Sequence, residues 1–330
     1  MRPKDALYLV RKPSFPLLFK HIDQIRIDNL KSIDLNQAAT LRIAKHPYPI
    51  ITSYELGIDL FNLIRKGCVD GQPLKLKTRD PERRHYRQVI SFFLSFGVLK
   101  ELRGAASESI FSILGKDEDT PPEEIVCCID PFAYLSHLSA MEFYGFTDRI
   151  PQTVYASSPS PREWRRYAQD RMTRDLGDSY NSYLRSDFPK LIRMQLQKLR
   201  NRQINVFHRE HLGAFRSIKA TGVRVSTIGR TFFDMLREPD LCGGIRHVLS
   251  VYEEHAREHV RLIVDDIDSH GNAIDKVRAG YVLQEVLGID DPTIENWTQF
   301  AQRGGSRKLY AKNEYSSTYS QKWCLSVNVD

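Results

Sequence analysis

The sequence predicts an α+β protein built as a small helical unit closed by a β-hairpin and a larger mixed α/β, helix-rich region after it. Three observations predict it. Helical stripes at 54–66 and 81–96 are followed by two short alternating segments, 98–102 and 109–114. An acidic stretch with two prolines and no apolar residue, 117–124, comes next. Beyond it, helical and strand patterns alternate over about 200 residues. The expected organisation is an extension at 1–40, a first domain at 41–116, a linker at 117–124 and a second domain at 125–330.

In the first domain, Thr52 or Ser53 can cap a helix starting near Tyr54, with Glu55 suiting the helix dipole. Leu56, Leu60, Phe61 and Ile64 form its core-facing stripe, and Gly67 stands where a C-cap is expected. A loop carrying Lys75 and Lys77 leads to Asp80-Pro81, an N-cap with proline at the first helical position. The helix that follows runs to about Phe96, with Tyr86, Val89, Ile90, Phe93 and Leu94 on one face and Arg83, Arg84, Arg87 and Gln88 largely opposite. Gly97 stops it, Val98–Leu102 and Ser109–Leu114 read as paired strands, and 103–107 is the turn. Helices followed by a hairpin are the winged helix-turn-helix pattern, in which the last helix enters the major groove.

Charge supports a polyanion contact at the front. Residues 1–116 hold 20 Lys and Arg against 11 Asp and Glu, a net +9, while 117–330 hold the remaining 28 and 30. Arg83, Arg84 and Arg87 suit base edges or phosphates, and Lys75, Lys77 and the wing residue Arg103 suit phosphates of duplex DNA. The competing reading is a solvated basic face on a winged helix that contacts protein.

The five cysteines, two of them adjacent and none spaced Cys-x-x-Cys, argue against a disulfide framework or a zinc ribbon and for reduced thiols in the cytoplasm. No apolar run approaches the ~18–20 residues of a membrane helix. Met1–Phe19, broken by Lys12, Pro13 and Pro16, does not read as a secretory signal.

In the second domain, Ile125–Ile129 reads as a buried strand, 132–144, 162–175 and 187–200 as helices, and 205–207 and 222–225 as short strands. Ile245, Val248, Leu249, Tyr252, Ala256 and Val260 trace a further helix, and Ile274, Val277, Tyr281 and Val286 another. Three segments here carry residues of chemical motifs. His255-Ala256-Arg257-Glu258-His259 has the spacing of a zinc motif but lies on the charged face of that helix. Asp265, Asp266, Asp268 and His270 follow an apolar run, as magnesium ligands do at a strand end in a nuclease, without a downstream Glu-x-Lys. Arg303–Lys308 is glycine-rich and basic but lacks the spacing of a phosphate-binding loop.

Three ordered segments carry a family resemblance. Tyr134–Met141 with Tyr144–Asp148 resembles the "SHLSA…GLTD" stretch of AbiEi-family antitoxins. Val225–Leu236 resembles the family's Ser-x-x-x-Arg-Thr-(apolar)₂-Asp, and Pro239–Ile245 its Pro-Asp-x-x-Gly-Gly-Ile. The resemblance covers 134–245, and it implies the antitoxin of a type IV toxin–antitoxin system. Such a protein is a repressor of its own promoter whose C-terminal domain neutralises a nucleotidyltransferase-like toxin, with no catalytic activity, cofactor or metal. The matched Ser136, His137, Ser139, Arg230, Asp234, Gly243 and Gly244 are expected to be architectural: Arg230 and Asp234, four apart, suit a helical pair, and the glycines a tight turn. A magnesium-dependent nuclease targeted by the winged helix, or a protein adaptor that touches no DNA, are the alternatives.

Overall fold

The structure, a computed structural model, describes residues 32–102, 110–116, 120–194, 196–199, 201–302 and 307–329. It is mixed α/β, and its order follows local signals closely at the front. Asp34 caps helix α1 (Leu35–Ala44) through a capping box with Gln37, so the boundary expected at residue 41 falls inside a helix. Strand β1 (Ile50–Thr52) leads directly into α2 (Ser53–Lys66), where Thr52 and Glu55 form a reciprocal capping box. Gly67 ends α2 at φ +66°, a left-handed conformation that glycine adopts without steric cost. A short ribbon, β2 (Cys68–Val69) with β3 (Gln72–Pro73), precedes α3 (Arg83–Ser95), and β4 (Leu99–Glu101) pairs with β5 (Ile110–Ile113). β5 also pairs with β1, giving an antiparallel sheet in the order β1-β5-β4.

α3 begins two residues later than the Asp80-Pro81 pair suggests. Its cap is Glu82, whose backbone N–H donates to His85 Nδ1 at 3.1 Å. The buried His85 ring satisfies the Glu82 N–H, whereas the exposed Asp80 carboxylate accepts from the Thr78 hydroxyl at 3.3 Å. Burial and the neighbouring Arg84 both lower the His85 pKa, which favours the neutral, accepting ring.

The region expected to be a linker and then a strand is different. Thr120 is buried, and Pro121-Pro122 opens α4 (Pro122–Ile129), with Glu123 and Glu124 in the first turn. Ile125, Val126, Cys127 and Ile129 are all buried, on more than one side of the helix. The apolar run therefore shows no 3.6-residue period to distinguish it from a strand.

A six-stranded mixed sheet follows, built from β6 (Tyr134–Leu135), β7 (Thr153–Pro159), β8 (Lys198–Leu199), β9 (Arg202–Arg209), β10 (Phe215–Ser217) and β11 (Arg224–Ser226) in the order β10-β11-β6-β7-β9-β8. The β11/β6 and β7/β9 pairs are parallel and the others antiparallel. Helix α5 (His137–Tyr144) springs from β6, so only part of the helix expected at 132–144 forms. α6 (Pro161–Leu176) and α7 (Tyr180–Arg185) join β7 to β9. No helix occupies 187–194: Pro189 removes an N–H, Asp187 takes φ +55°, and Phe188 and Leu191 are buried from an irregular chain. The C-terminal third is α8 (Ile228–Arg237), α9 (Ile245–His270), α10 (Ala273–Gly280) with a π-helical turn at Tyr281–Val286, α11 (Pro292–Asn296), and a hairpin of β12 (Tyr319–Ser320) with β13 (Leu325–Ser326).

Among the described residues, three apolar clusters form the core. The first gathers α1, α2 and α3 but also Trp164, Ala168, Met172, Leu176, Tyr183, Phe188 and Leu191. The second is built on α8, α9 and α10 with Trp297 and Trp323. The third joins the six-stranded sheet to α4 and to Ile50 and Ile110 of the first sheet. All five cysteines are free thiols. Among the described residues no helix is long and apolar enough to cross a membrane.

Candidate functional site

Helix α3 divides cleanly into two faces. His85, Val89 and Phe93 are buried, while Arg83, Arg84, Arg87, Gln88 and Ser91 are exposed. Arg83 bonds Asp187 at 2.6 Å and Arg84 bonds Glu82 at 2.8 Å. Both pairs are solvent-exposed, so each contributes little and yields readily to a stronger anion. Arg87 has no ion pair among the described residues. Lys75 and Lys77 are exposed in the segment ahead of the helix, where the Lys75 N–H donates to the Ile33 carbonyl at 2.9 Å. Arg103, expected in the wing, lies outside the described residues.

The resemblance segments come together around His137. This residue starts α5 directly after β6 and takes φ +52°, a conformation that costs a non-glycine residue about 1–2 kcal/mol. Its ring is fully buried and packs against Phe207 at 5.0 Å. Nδ1 lies 2.8 Å from Ser136 Oγ, which also accepts from Ser157 Oγ at 3.0 Å. Nε2 lies 2.9 Å from Glu238 Oε2, at the end of α8, and Arg209 at the end of β9 closes on the same carboxylate oxygen. The left-handed backbone is thus held by bonds on both ring nitrogens. Ser139, two residues on, accepts the Tyr155 N–H of β7 at 3.0 Å and so fixes α5 to the sheet.

The second segment braces the same region. On α8, Arg230 grips Asp234 from both Nε and Nη2, at 2.8 Å each, and lies over the Phe233 ring. Its side chain also fills the space at Gly213, where a Cβ would come within 2.6 Å of Nε. Gly243 and Gly244 take φ +90° and +95° at the entry to α9, and the Gly243 carbonyl accepts from Arg149 at 2.8 Å. Glu238, Arg209 and Ser157 were not singled out in the sequence. Glu238 only adjoins the third motif, and Arg209 and Ser157 sit in unmatched stretches 72 and 20 residues from His137.

The charge of Glu238 carries a measurable consequence. Burial pushes its carboxyl up, but hydrogen bonds from His137 and Arg209 outweigh burial and bring the pKa down to about 2 from 4.5. A depressed carboxyl pKa gives stability that is complete above pH ~4.5 and lost as pH falls towards ~2. Glu238→Gln is expected to be about 2–3 kcal/mol less stable than wild type at pH 7, with the gap closing as pH approaches ~2. Urea titrations at several pH values check this; a pH-independent gap would show that the ionised carboxylate is not what the cluster needs.

Among the described residues the side chains of the remaining motifs are engaged separately. His255 and His259 pack their rings on Phe146, at 5.1 and 5.5 Å, with Glu258 turned to solvent. Asp265, Asp266 and Asp268 lie in the last turns of α9, not at a strand end. Asp265 is exposed, Asp266 is buried and bonds His270 at 3.0 Å, and Asp268 takes Trp297 Nε1 at 2.8 Å and Lys276 at 3.1 Å. On the helix Asp266 turns inward, away from the exposed side that Asp265 and Asp268 share, so the three carboxylates do not converge on one point. Among the described residues no group of three or more His, Cys, Asp or Glu is placed to hold a metal ion. Of the 303–308 loop, 303–306 lie outside the described residues.

No family model matches the sequence, and no curated protein does. Among solved structures the chain is similar to the RV2827C protein from Mycobacterium tuberculosis, with a TM-score of 0.49 and 12% identity, covering 88% of this chain and 90% of that one.

Proposed function

We propose that the protein is a DNA-binding autorepressor and antitoxin, in which a winged helix at 33–114 reads the duplex of its own promoter. The larger region would neutralise a nucleotidyltransferase-like toxin. The observation that carries the DNA reading is the exposed face of α3, with Arg84, Arg87 and Gln88 set opposite the buried Val89 and Phe93. The order α1-β1-α2-β2-β3-α3-β4-β5, with a short β2/β3 ribbon ahead of α3 and β1 completing the hairpin's sheet, supports it. That order is the one in which a winged helix presents its last helix to the major groove and its hairpin to the backbone. The antitoxin reading rests on the family resemblance at 134–245, whose segments meet at His137 and Glu238.

The test uses the full chain and a duplex from its own promoter. Arg84→Ala and Arg87→Ala are each expected to weaken binding by about 1–3 kcal/mol, whereas Lys75→Ala weakens all sequences alike. The log–log salt slope should steepen by about 0.9 for each phosphate neutralised. Mobility-shift titrations across salt concentrations measure both. Wild-type affinity in the two arginine variants, or a flat salt response, would remove α3 as the recognition helix. Co-expression with the toxin encoded beside it checks the second half: protection should survive in both arginine variants, and a chain that gives no protection is not an antitoxin.

A further inference from the structure

Behind the Glu238 end of the cluster, between the turn Pro239–Cys242 and residues 309–312, lies a cavity of about 250 Å³. Leu236, Leu241 and Leu309 give it an apolar wall, and Arg237, Arg278 and Lys312 bring three cations to it.

The acids beside these cations are already committed. Glu238 is taken by His137 and Arg209. Asp240 is taken by Lys312 and by the Tyr310 hydroxyl. Arg237 lies over the Phe233 ring at 5.5 Å and has no ion pair among the described residues. Arg278, in the last turn of α10, donates from Nε to the Lys308 carbonyl at 3.0 Å and likewise has no ion pair. The carboxylate on its own helix, Asp275, accepts the Asn272 N–H at 3.1 Å as part of the α10 capping box. Burial works against the Arg278 charge and lowers its pKa, and the Asp275 carboxylate on the same helix opposes this only in part. Two guanidinium groups therefore line one small volume without a carboxylate in ion-pair contact, while the acids that share the lining, Glu238 and Asp240, are held by other cations. Guanidinium is the side-chain group best shaped to hold a phosphate by paired N–H donors.

We propose that this cavity binds a phosphate monoester, with Arg278 and Arg237 on the phosphate and the leucine wall against the group that carries it. Two guanidinium groups free of ion pairs among the described residues, with Lys312 beside them, suit the −1.5 to −2 charge of a monoester at neutral pH. The site is independent of the α3 face.

Thermal melts of the full chain test it, with inorganic phosphate and adenosine monophosphate as probes and potassium chloride at matched ionic strength as control. A saturable rise in melting temperature is expected with at least one probe and not with chloride. Saturation by inorganic phosphate identifies the ion itself as sufficient. Saturation by adenosine monophosphate alone shows that the wall contributes to binding. Arg278→Met and Arg237→Met are each expected to raise the half-saturation concentration about tenfold or more. Arg237 is exposed, so its variant decides the matter if Arg278→Met fails to fold. The proposal is overturned if neither probe gives a saturable shift, if Arg237→Met binds like wild type, or if the shift disappears instead in the Arg84→Ala, Arg87→Ala chain.

Discussion

A polypeptide starting at residue 120 is expected to lose its native tertiary structure. The acidic stretch at 117–124 suggests two units that separate cleanly, but the side chains cross that line. Trp164, Ala168, Met172, Leu176, Tyr183, Phe188 and Leu191 are buried in the cluster built on α1–α3. Phe61 meets Tyr183 at 5.0 Å and Phe188 at 5.9 Å, and the Tyr54 hydroxyl bonds Asp175 at 3.1 Å. Gly57 lies so close to Tyr183 that a Cβ would meet its hydroxyl at 2.7 Å. Fully burying a large apolar side chain is worth about 1.5–3 kcal/mol, so uncovering this group costs on the order of 10 kcal/mol. That is comparable to the whole stability of an ordinary domain. The fragment should bind hydrophobic dye, lose near-ultraviolet circular dichroism and aggregate. A monomeric fragment with native near-ultraviolet signal would show that α6 and α7 repack without the N-terminal helices. The two proposed activities are for the same reason better separated by point substitutions on α3 than by truncation.

Gly229→Ala is expected to destabilise the protein by about 3 kcal/mol through overpacking. A Cβ at this position would lie 2.1 Å from the Leu262 carbonyl oxygen and 2.8 Å from its carbon, both backbone atoms of α9. A side chain can rotate away from such an approach, whereas a carbonyl inside a 26-residue helix cannot. The two helices must separate, which loosens the contact of Phe232 and Phe233 with Val248 and Tyr252 and draws Arg230 and Asp234 out of place. Gly145→Ala is the informative control. Its φ of +70° is strained for alanine but a Cβ there meets nothing, so the cost should be about 1–2 kcal/mol. Urea denaturation of both variants makes the comparison. Equal losses would mean that the clash with the Leu262 backbone costs no more than left-handed strain at Gly145.

Much of the N-terminal architecture was determined by the sequence alone, because local chemistry governs it. Thr52 with Glu55, the stripe through Leu60 and Ile64, Gly67 after α2 and the alternation on either side of 103–107 are all short-range signals. They specify α2, β4, β5 and the arginine face of α3 with only the start of α3 displaced, where a buried histidine supplies a cap that an exposed aspartate does not. The pairing of Arg230 with Asp234 was legible for the same reason, being one helical turn apart. Tertiary structure alone decided the rest. Ile125–Ile129 is apolar on more than one side, so its period is invisible and its helical state depends on what surrounds it. Phe188 and Leu191 are buried without regular structure, which no periodicity reports. The union of His137 with Glu238, 101 residues away, and with Arg209 forms only when β6, β9 and α8 converge. Sequence patterns report spacing along the chain, and this cluster is held by charges that the chain keeps far apart.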